Sequence, residues 1–191
     1  MIQKTDIEGL LLQTPGQRFS DDRGFFQETW HRDELDELLD KEWKHVQENQ
    51  AISKKGVLRG IHVAPWNKLI HISSGEVFSV IVDLRPNSPT FKKHQSFTLS
   101  QENANRLFVP AGCGNAYYVV SDEVVYEYQV DKYYFPSKEQ GVIERSVVWN
   151  DSELAIDWPD KEPLLSEKDQ QNPTLQEFLD QGYAQEIEKN S

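Results

Sequence analysis

Between Gly56 and Val130 the chain runs through seven short apolar-rich segments with no helical spacing between them: GVLRGIHV, KLIHIS, GEVFSVIVDLR, HQSFTLS, NRLFVP, AYYVVS and VVYEYQV. β-branched and aromatic residues fill these runs. Turn chemistry separates them, as at Ser73-Ser74-Gly75, Pro86-Asn87-Ser88-Pro89 and Pro110-Ala111-Gly112. A parallel sheet needs crossover helices, so the block predicts a mainly β sandwich or barrel. In GEVFSVIVDLR both alternating sets are apolar, with Val77 and Ile81 on one side and Phe78, Val80, Val82 and Leu84 on the other. Such a strand belongs in the middle of a layered structure.

Helices are expected only near the ends. Leu35, Leu38, Leu39 and Trp43 fall at helical spacing with acidic residues between, which predicts a short amphipathic helix from Asp33 to Trp43. Near the C-terminus Asn172 suits an N-cap and Pro173 the first helical position. Leu175, Phe178, Leu179 and Ile187 then form a stripe weakened by Gly182, which predicts one small peripheral helix. The 191 residues show no repeat, low-complexity tract or linker. They read as a single domain, 1–191, with a β core over residues 45–160 and a helical tail over 165–190.

Charge narrows the choice of ligands. With 20 Lys+Arg against 32 Asp+Glu the formal charge is −12, which argues against a nucleic-acid or anionic-membrane surface. An anionic ligand must therefore be held by locally placed cations. Cys113 is the single cysteine, so an internal disulfide and a multi-cysteine metal site are excluded. The run Leu10-Leu11-Leu12 is broken by Pro15, and no apolar stretch reaches the roughly 18 residues of a membrane span. A soluble, cytoplasmic protein is expected.

A β-barrel of this size is similar to the cupins, whose metal sites take an H-x-H pair and a later His in a P-x-G-x-x-H turn. Here His62 stands alone in Gly60-Ile61-His62-Val63-Ala64, and Asn115 occupies the place of the later His in Pro110-Ala111-Gly112-Cys113-Gly114-Asn115. Neither a metal nor another cofactor is expected, since first-row divalent ions want converging N or S donors. Organic acid–base groups remain. Alternation puts Val124, Tyr126, Tyr128 and Val130 on one face, and Lys68 follows His62 by six residues. If they converge, His62, Tyr128 and Lys68 supply a base, an acid and a cation for an oxyanion. If they do not, they are a rim histidine, a core tyrosine and a solvated strand-end lysine. Arg23, Arg59 and Arg85 are likewise either anion ligands or salt-bridge residues.

Several strings taken together carry a family resemblance. These are Asp21-Asp22-Arg23-Gly24-Phe25-Phe26-Gln27-Glu28, then Gln47-Glu48-Asn49, Gly56-Val57-Leu58-Arg59-Gly60-Ile61-His62, Val82-Asp83-Leu84-Arg85 with Ser88-Pro89-Thr90-Phe91, and Trp149-Asn150-Asp151 with Ile156-Asp157-Trp158-Pro159. In order and spacing, over residues 15–170, they resemble the dTDP-4-dehydrorhamnose 3,5-epimerase family of RmlC-like cupins. The resemblance implies a metal-free cupin jelly roll, a homodimer, and a nucleotide-linked 4-keto-6-deoxy sugar as substrate in surface polysaccharide biosynthesis. It also implies inversion at C3, or at C3 and C5. His62 then matches the base, Asp169 its dyad partner, Tyr128 the acid and Lys68 the group beside the C4 oxygen. Arg23, Glu28, Gln47, Asn49, Arg59 and Glu139 match substrate-contacting positions, and Asn115 stands where the family has a histidine.

Two departures are visible. Only Val63-Ala64-Pro65-Trp66-Asn67 separate His62 from Lys68, and Gly112-Cys113-Gly114-Asn115-Ala116-Tyr117 replaces the family's histidine turn. Both resemble the branch acting on GDP-linked 4-keto-6-deoxy heptoses, toward which the sequence leans. Strict alternation sets Arg59 and His62 on opposite faces, unless a bulge at Gly60 re-aims one of them. A non-catalytic cupin that binds sugar nucleotides is the alternative from another class, and a 3,4-ketoisomerase is the alternative enzyme. The latter usually shows an H-x-H pair that His62-Val63-Ala64 lacks.

Overall fold

The computed structural model describes residues 1–40, 42–134 and 144–191. Its first half contains β1 Ile2–Lys4, β2 Leu11–Gln13, β3 Arg18–Asp21, β4 Gly24–Gln27, α1 Arg32–Leu39, β5 Gln47–Lys54, β6 Leu58–Val63, β7 Lys68–Ser74 and β8 Glu76–Asp83. The second half adds β9 His94–Ser100, β10 Arg106–Val109, β11 Cys113–Val119, β12 Glu123–Val130, β13 Arg145–Ser146, α2 Glu167–Gln170, α3 Leu175–Asp180 and α4 Tyr183–Lys189. All seven predicted segments are strands, β6 to β12. The fold is mainly β with short helices, as expected.

Two antiparallel sheets form a sandwich. One has the order β1-β2-β10-β7-β12-β5 and the other β13-β6-β11-β8-β9, while β3 and β4 make a separate ribbon. Ile70, Ile72 and Tyr126 from the first sheet pack against Val77, Ile81 and Val119 from the second. Burial of each such side chain stabilises the fold by about 1.5–3 kcal/mol. β8 is buried on both faces, as its pattern requires. Val77 and Ile81 point into the sandwich, whereas Val80, Val82 and Leu84 meet Leu154 and Trp158 and, from the tail, Leu175 and Phe178. The tail therefore forms a third layer.

The helical ends differ from expectation. α1 stops at Leu39 because Asp40 turns left-handed, with φ 51°, and its N–H caps Asp36 and Glu37 carbonyls. Trp43 lies beyond the helix. Its apolar spacing reflects packing on Phe108, edge to face at 5.9 Å, and its backbone N–H donates to Asp36 Oδ1. In the tail, two short helices replace the single one predicted. Thr174, not Asn172, is the N-cap of α3 and forms a capping box with Glu177, which puts Pro173 outside the helix. Gly182, at φ +70°, breaks the stripe and starts α4. Nor is the tail peripheral, since Leu175 and Phe178 are fully buried.

The β structure also starts earlier than residue 45, because β1 and β2 extend the six-stranded sheet. Asp83 gathers the Val82-Asp83-Leu84-Arg85 and Ser88-Pro89-Thr90 strings into one cluster. It accepts hydrogen bonds from the Arg85 guanidinium and backbone N–H and from the Ser88 and Thr90 hydroxyls. That motif is structural, and Arg85 is a salt-bridge residue. No helix among the described residues is long and apolar enough to cross a membrane.

Candidate active site

The site begins with an irregularity in β6. Asn115 pairs with His62 and Tyr117 with Arg59, so three steps on β6 oppose two on β11. The extra residue is a bulge at Gly60, which adopts φ +126°. A Cβ there would lie 2.5 Å from Ala116 Cβ, so only glycine fits. The bulge changes the parity of the strand. Leu58, Ile61 and Val63 pack outward against the tail, while Arg59 and His62 both line one cavity inside the sandwich.

The cavity has a volume of about 330 Å³. β5 contributes Gln47, Asn49 and Ala51, β12 contributes Tyr126, Tyr128 and Val130, and β7 contributes Lys68. The opposing sheet contributes Arg59 and His62 of β6 and Asn115 and Tyr117 of β11, and Trp66, Tyr134 and Glu144 complete the lining. Pairing register orders these residues along the strands. Lys68, Val130 and Gln47 stand abreast at one end, followed by Tyr128 with Asn49, Tyr126 with Ala51, and Val124 with Ser53. Arg59 Nε donates to Ser53 Oγ at 3.0 Å, so the guanidinium lies at the far end from Lys68.

His62 is oriented from behind. Its Nε2 donates to Asp169 Oδ1 at 3.0 Å, so in the neutral imidazole the lone pair is on Nδ1. Asp169 sits on α2, where Ser166 Oγ caps the helix by accepting its N–H and donates to Oδ2; Asn172 Nδ2 donates to Oδ1. Burial raises the Asp169 pKa, but the His62 hydrogen bond, the His62 charge and the Ser166 and Asn172 bonds outweigh it and hold the carboxyl below its usual value. Asp169 is thus an anion beneath the imidazole.

Lys68 is almost fully buried. Its Nζ donates to Asn115 Oδ1 at 2.7 Å and lies 3.5 Å from Glu144 Oε2 and 5.6 Å from the Tyr128 ring centroid. Burial lowers its pKa and the Glu144 carboxylate counteracts this. Glu144 Oε1 is also 3.9 Å from His62 Nδ1. Burial raises the Glu144 pKa, yet the charges of Lys68, His62 and Lys168 bring it below the usual carboxylate value. Across the cavity from His62, Tyr128 is pushed up to about 12, chiefly by burial and then by the Glu144 charge. Its hydroxyl stays protonated at neutral pH. The cavity therefore presents a base, a buried cation and a neutral acid.

His62, Lys68, Tyr128, Gln47, Asn49, Arg59 and Asn115 all line the cavity, and Asp169 reaches it through His62. Arg23 and Glu28 do not line it. Arg23 lies beside Asp21 in the β3–β4 ribbon, and Glu28 contacts His31 at 3.2 Å. Glu139 falls outside the described residues. Sequence reasoning missed Glu144, Trp66, Tyr117, Tyr126 and Tyr134. Two glutamates, Glu139 and Glu144, precede Trp149-Asn150-Asp151. No one-dimensional pattern marks Glu144, which stands just before Arg145–Ser146, the strand that pairs with β6 at His62. Tyr126 was on the face assigned to Tyr128, and its stacking on Tyr117 at 4.0 Å explains why it is core as well as lining.

Comparison with known proteins identifies the family. Residues 4–177 match the family model described as dTDP-4-dehydrorhamnose 3,5-epimerase. The chain is 40% identical over 184 residues to the dTDP-4-dehydrorhamnose 3,5-epimerase of Shigella flexneri, covering 94% of this chain and 97% of that protein. It is 37% identical over 180 residues to a dTDP-4-dehydrorhamnose 3-epimerase of Streptomyces niveus, covering 92% and 84%. Among solved structures, a 4-keto-6-deoxy sugar epimerase from the novobiocin biosynthetic gene cluster of Streptomyces spheroides superposes with a TM-score of 0.88 at 34% identity. It covers 95% of this chain and 90% of that one.

Proposed function

The chain belongs to the dTDP-4-dehydrorhamnose 3,5-epimerase family, and from that membership we propose that it inverts C3, or C3 and C5, of a dTDP-linked 4-keto-6-deoxy sugar with His62 as base and Tyr128 as acid. It is an isomerase of the sugar-nucleotide epimerase class. The relatives named above are named for dTDP where they name a nucleotide. The lean toward GDP-linked heptoses, drawn from the short loop and Asn115, is therefore set aside.

One observation carries the reading: His62 and Tyr128 face a common cavity from opposite sheets, with Lys68 beside Tyr128 and Glu144 between Lys68 and His62. A ketone at C4 acidifies the hydrogens on C3 and C5. His62 Nδ1 takes one such proton, and the C–H electron pair moves into the enolate, whose C4 oxygen carries the charge. The Lys68 ammonium, held by Asn115 and Glu144, stabilises that oxygen in a site shielded from water. Tyr128 then delivers its phenolic proton to the opposite face of the same carbon, which inverts it. Solvent restores the phenol and takes the proton from His62. Asp169 stabilises the imidazolium that forms in between.

The remaining contacts follow from charge and position. Arg59, open at the far end of the cavity, suits the diphosphate, and Gln47 and Asn49 suit the sugar or the nucleoside. Arg23 and Glu28, on the exposed ribbon with Phe19, Phe25 and Phe26 uncovered, serve the nucleotide if the enzyme is a homodimer. Glu139 is proposed for substrate contact. His62→Asn is the direct test. Turnover should vanish while nucleotide-sugar binding, measured by calorimetry, stays within about tenfold, because a hydrogen-bonding substitute keeps ground-state contacts. Sustained turnover in that variant removes His62 as the base.

A further inference from the structure

We propose that Trp66 sets which substituent the sugar can carry at C5, its indole forming the apolar end wall that receives the C6 methyl. The inference rests on the epimerase reading above. Strand register gives the cavity two unlike ends. At one, Arg59, Ser53 and the Tyr117 hydroxyl are linked by hydrogen bonds. At the other, beyond Lys68 and Val130, stand Trp66 and Tyr134, whose rings meet edge to face at 6.2 Å.

Trp66 is 4% exposed and packs with Ala64 and Val130, with Tyr128 against the same cluster. Its indole N–H is buried and without a partner among the described residues, so the accessible surface of the ring is carbon. The short loop fixes it there. Asn67, the next residue, donates from its backbone and side-chain amides to the Asp131 carboxylate and accepts from the Ala111 N–H. Three hydrogen bonds at Asn67 hold the backbone that carries Trp66, and packing on Ala64 and Val130 holds its ring.

The substrate has to match these ends. With the C4 oxygen at Lys68 and the diphosphate at Arg59, the C3 oxygen and the C5 substituent fall on either side of the ketone. A hydroxyl pressed against Trp66 would lose its hydrogen bonds to water without replacement, whereas a methyl gains by leaving water. The C6 methyl therefore goes to the tryptophan end. Apolar pockets discriminate by fit, and one missing or extra carbon changes the specificity constant about tenfold or more.

The test compares three dTDP-linked 4-keto sugars that differ only at C5, bearing hydrogen, methyl or ethyl, by their rates of C3 deuterium uptake. The wild-type enzyme should favour methyl over both neighbours by about tenfold. Trp66→Ala should bring ethyl level with methyl or above it, and Trp66→Leu should shift the ratio the same way should the alanine variant fail to fold. Trp66→Phe, which keeps an aromatic wall but is smaller and lacks the N–H, should retain a methyl preference, reduced from that of the wild type. Unchanged ratios in the alanine or leucine variants overturn the proposal, as does a lost preference in Trp66→Phe. No uptake by the wild-type protein with any of the three sinks the epimerase reading instead.

Discussion

His62 Nε2 donates a 3.0 Å hydrogen bond to Asp169 Oδ1, although 107 positions separate the two residues in the chain. The bond fixes the proton on Nε2 and aims Nδ1 at the cavity. Removing the charge but not the shape, Asp169→Asn should leave substrate binding intact and lower kcat about 100-fold or more, since the imidazolium loses its counter-ion. Steady-state kinetics check this, and a rise in KM at constant kcat would assign Asp169 a binding role.

Tyr128→Phe separates the two halves of the reaction. His62 can still abstract and return a proton on its own side, so solvent exchange at C3 should persist while net inversion falls by at least about 100-fold. Proton NMR in heavy water reads both at once. Because the phenol is pushed up to about 12, the wild-type rate should show no loss from Tyr128 ionisation between pH 7 and about pH 10.

Glu144 is the carboxylate nearest Lys68 among the described residues. Burial already lowers the lysine pKa and Glu144 opposes that effect. Lys68 is cationic only below its pKa, so Glu144→Gln narrows the charged range from the alkaline side. The high-pH limb of kcat/KM should move to lower pH by about one unit. An unmoved limb would show that Lys68 ionisation does not govern it.

Asp83 makes a prediction about stability alone. Burial raises its pKa, but the bonds from Arg85, Ser88 and Thr90 more than compensate and the net value is lowered. A lowered carboxylate stabilises the fold above its unfolded value, near 3.9, and the contribution disappears as pH falls through the folded value. Asp83→Ala should cost about 3 kcal/mol at pH 7 in urea unfolding, by stranding the Arg85 side chain. The gap between variant and wild type should shrink below about pH 4.

The strands were legible because period-2 alternation and turn residues are local properties, and β8 announced its two buried faces in one line of sequence. β5 was not, since Gln47–Lys54 is an edge strand with a polar, alternately exposed pattern that resembles a loop. Trp43 and Leu175 show the limit of helical spacing, which records burial without saying whether one helix or several produce it. In the site, His62, Lys68 and Tyr128 were readable as chemistry, but their convergence depended on the Gly60 bulge and on pairing between distant strands. Glu144 was missed because its role arises from a neighbour on β7, which a one-dimensional pattern does not contain.

The central claim is that this cavity deprotonates carbon next to a ketone. The protein should be incubated in heavy water with dTDP-linked and GDP-linked 4-keto-6-deoxy sugars, with label located by mass spectrometry and NMR. The account predicts deuterium at C3, with or without C5, in the dTDP-linked sugar and dependence of that uptake on His62. Saturable binding of the dTDP-linked sugar with no deuterium at either carbon would contradict it, and would make the protein a sugar-nucleotide binding cupin.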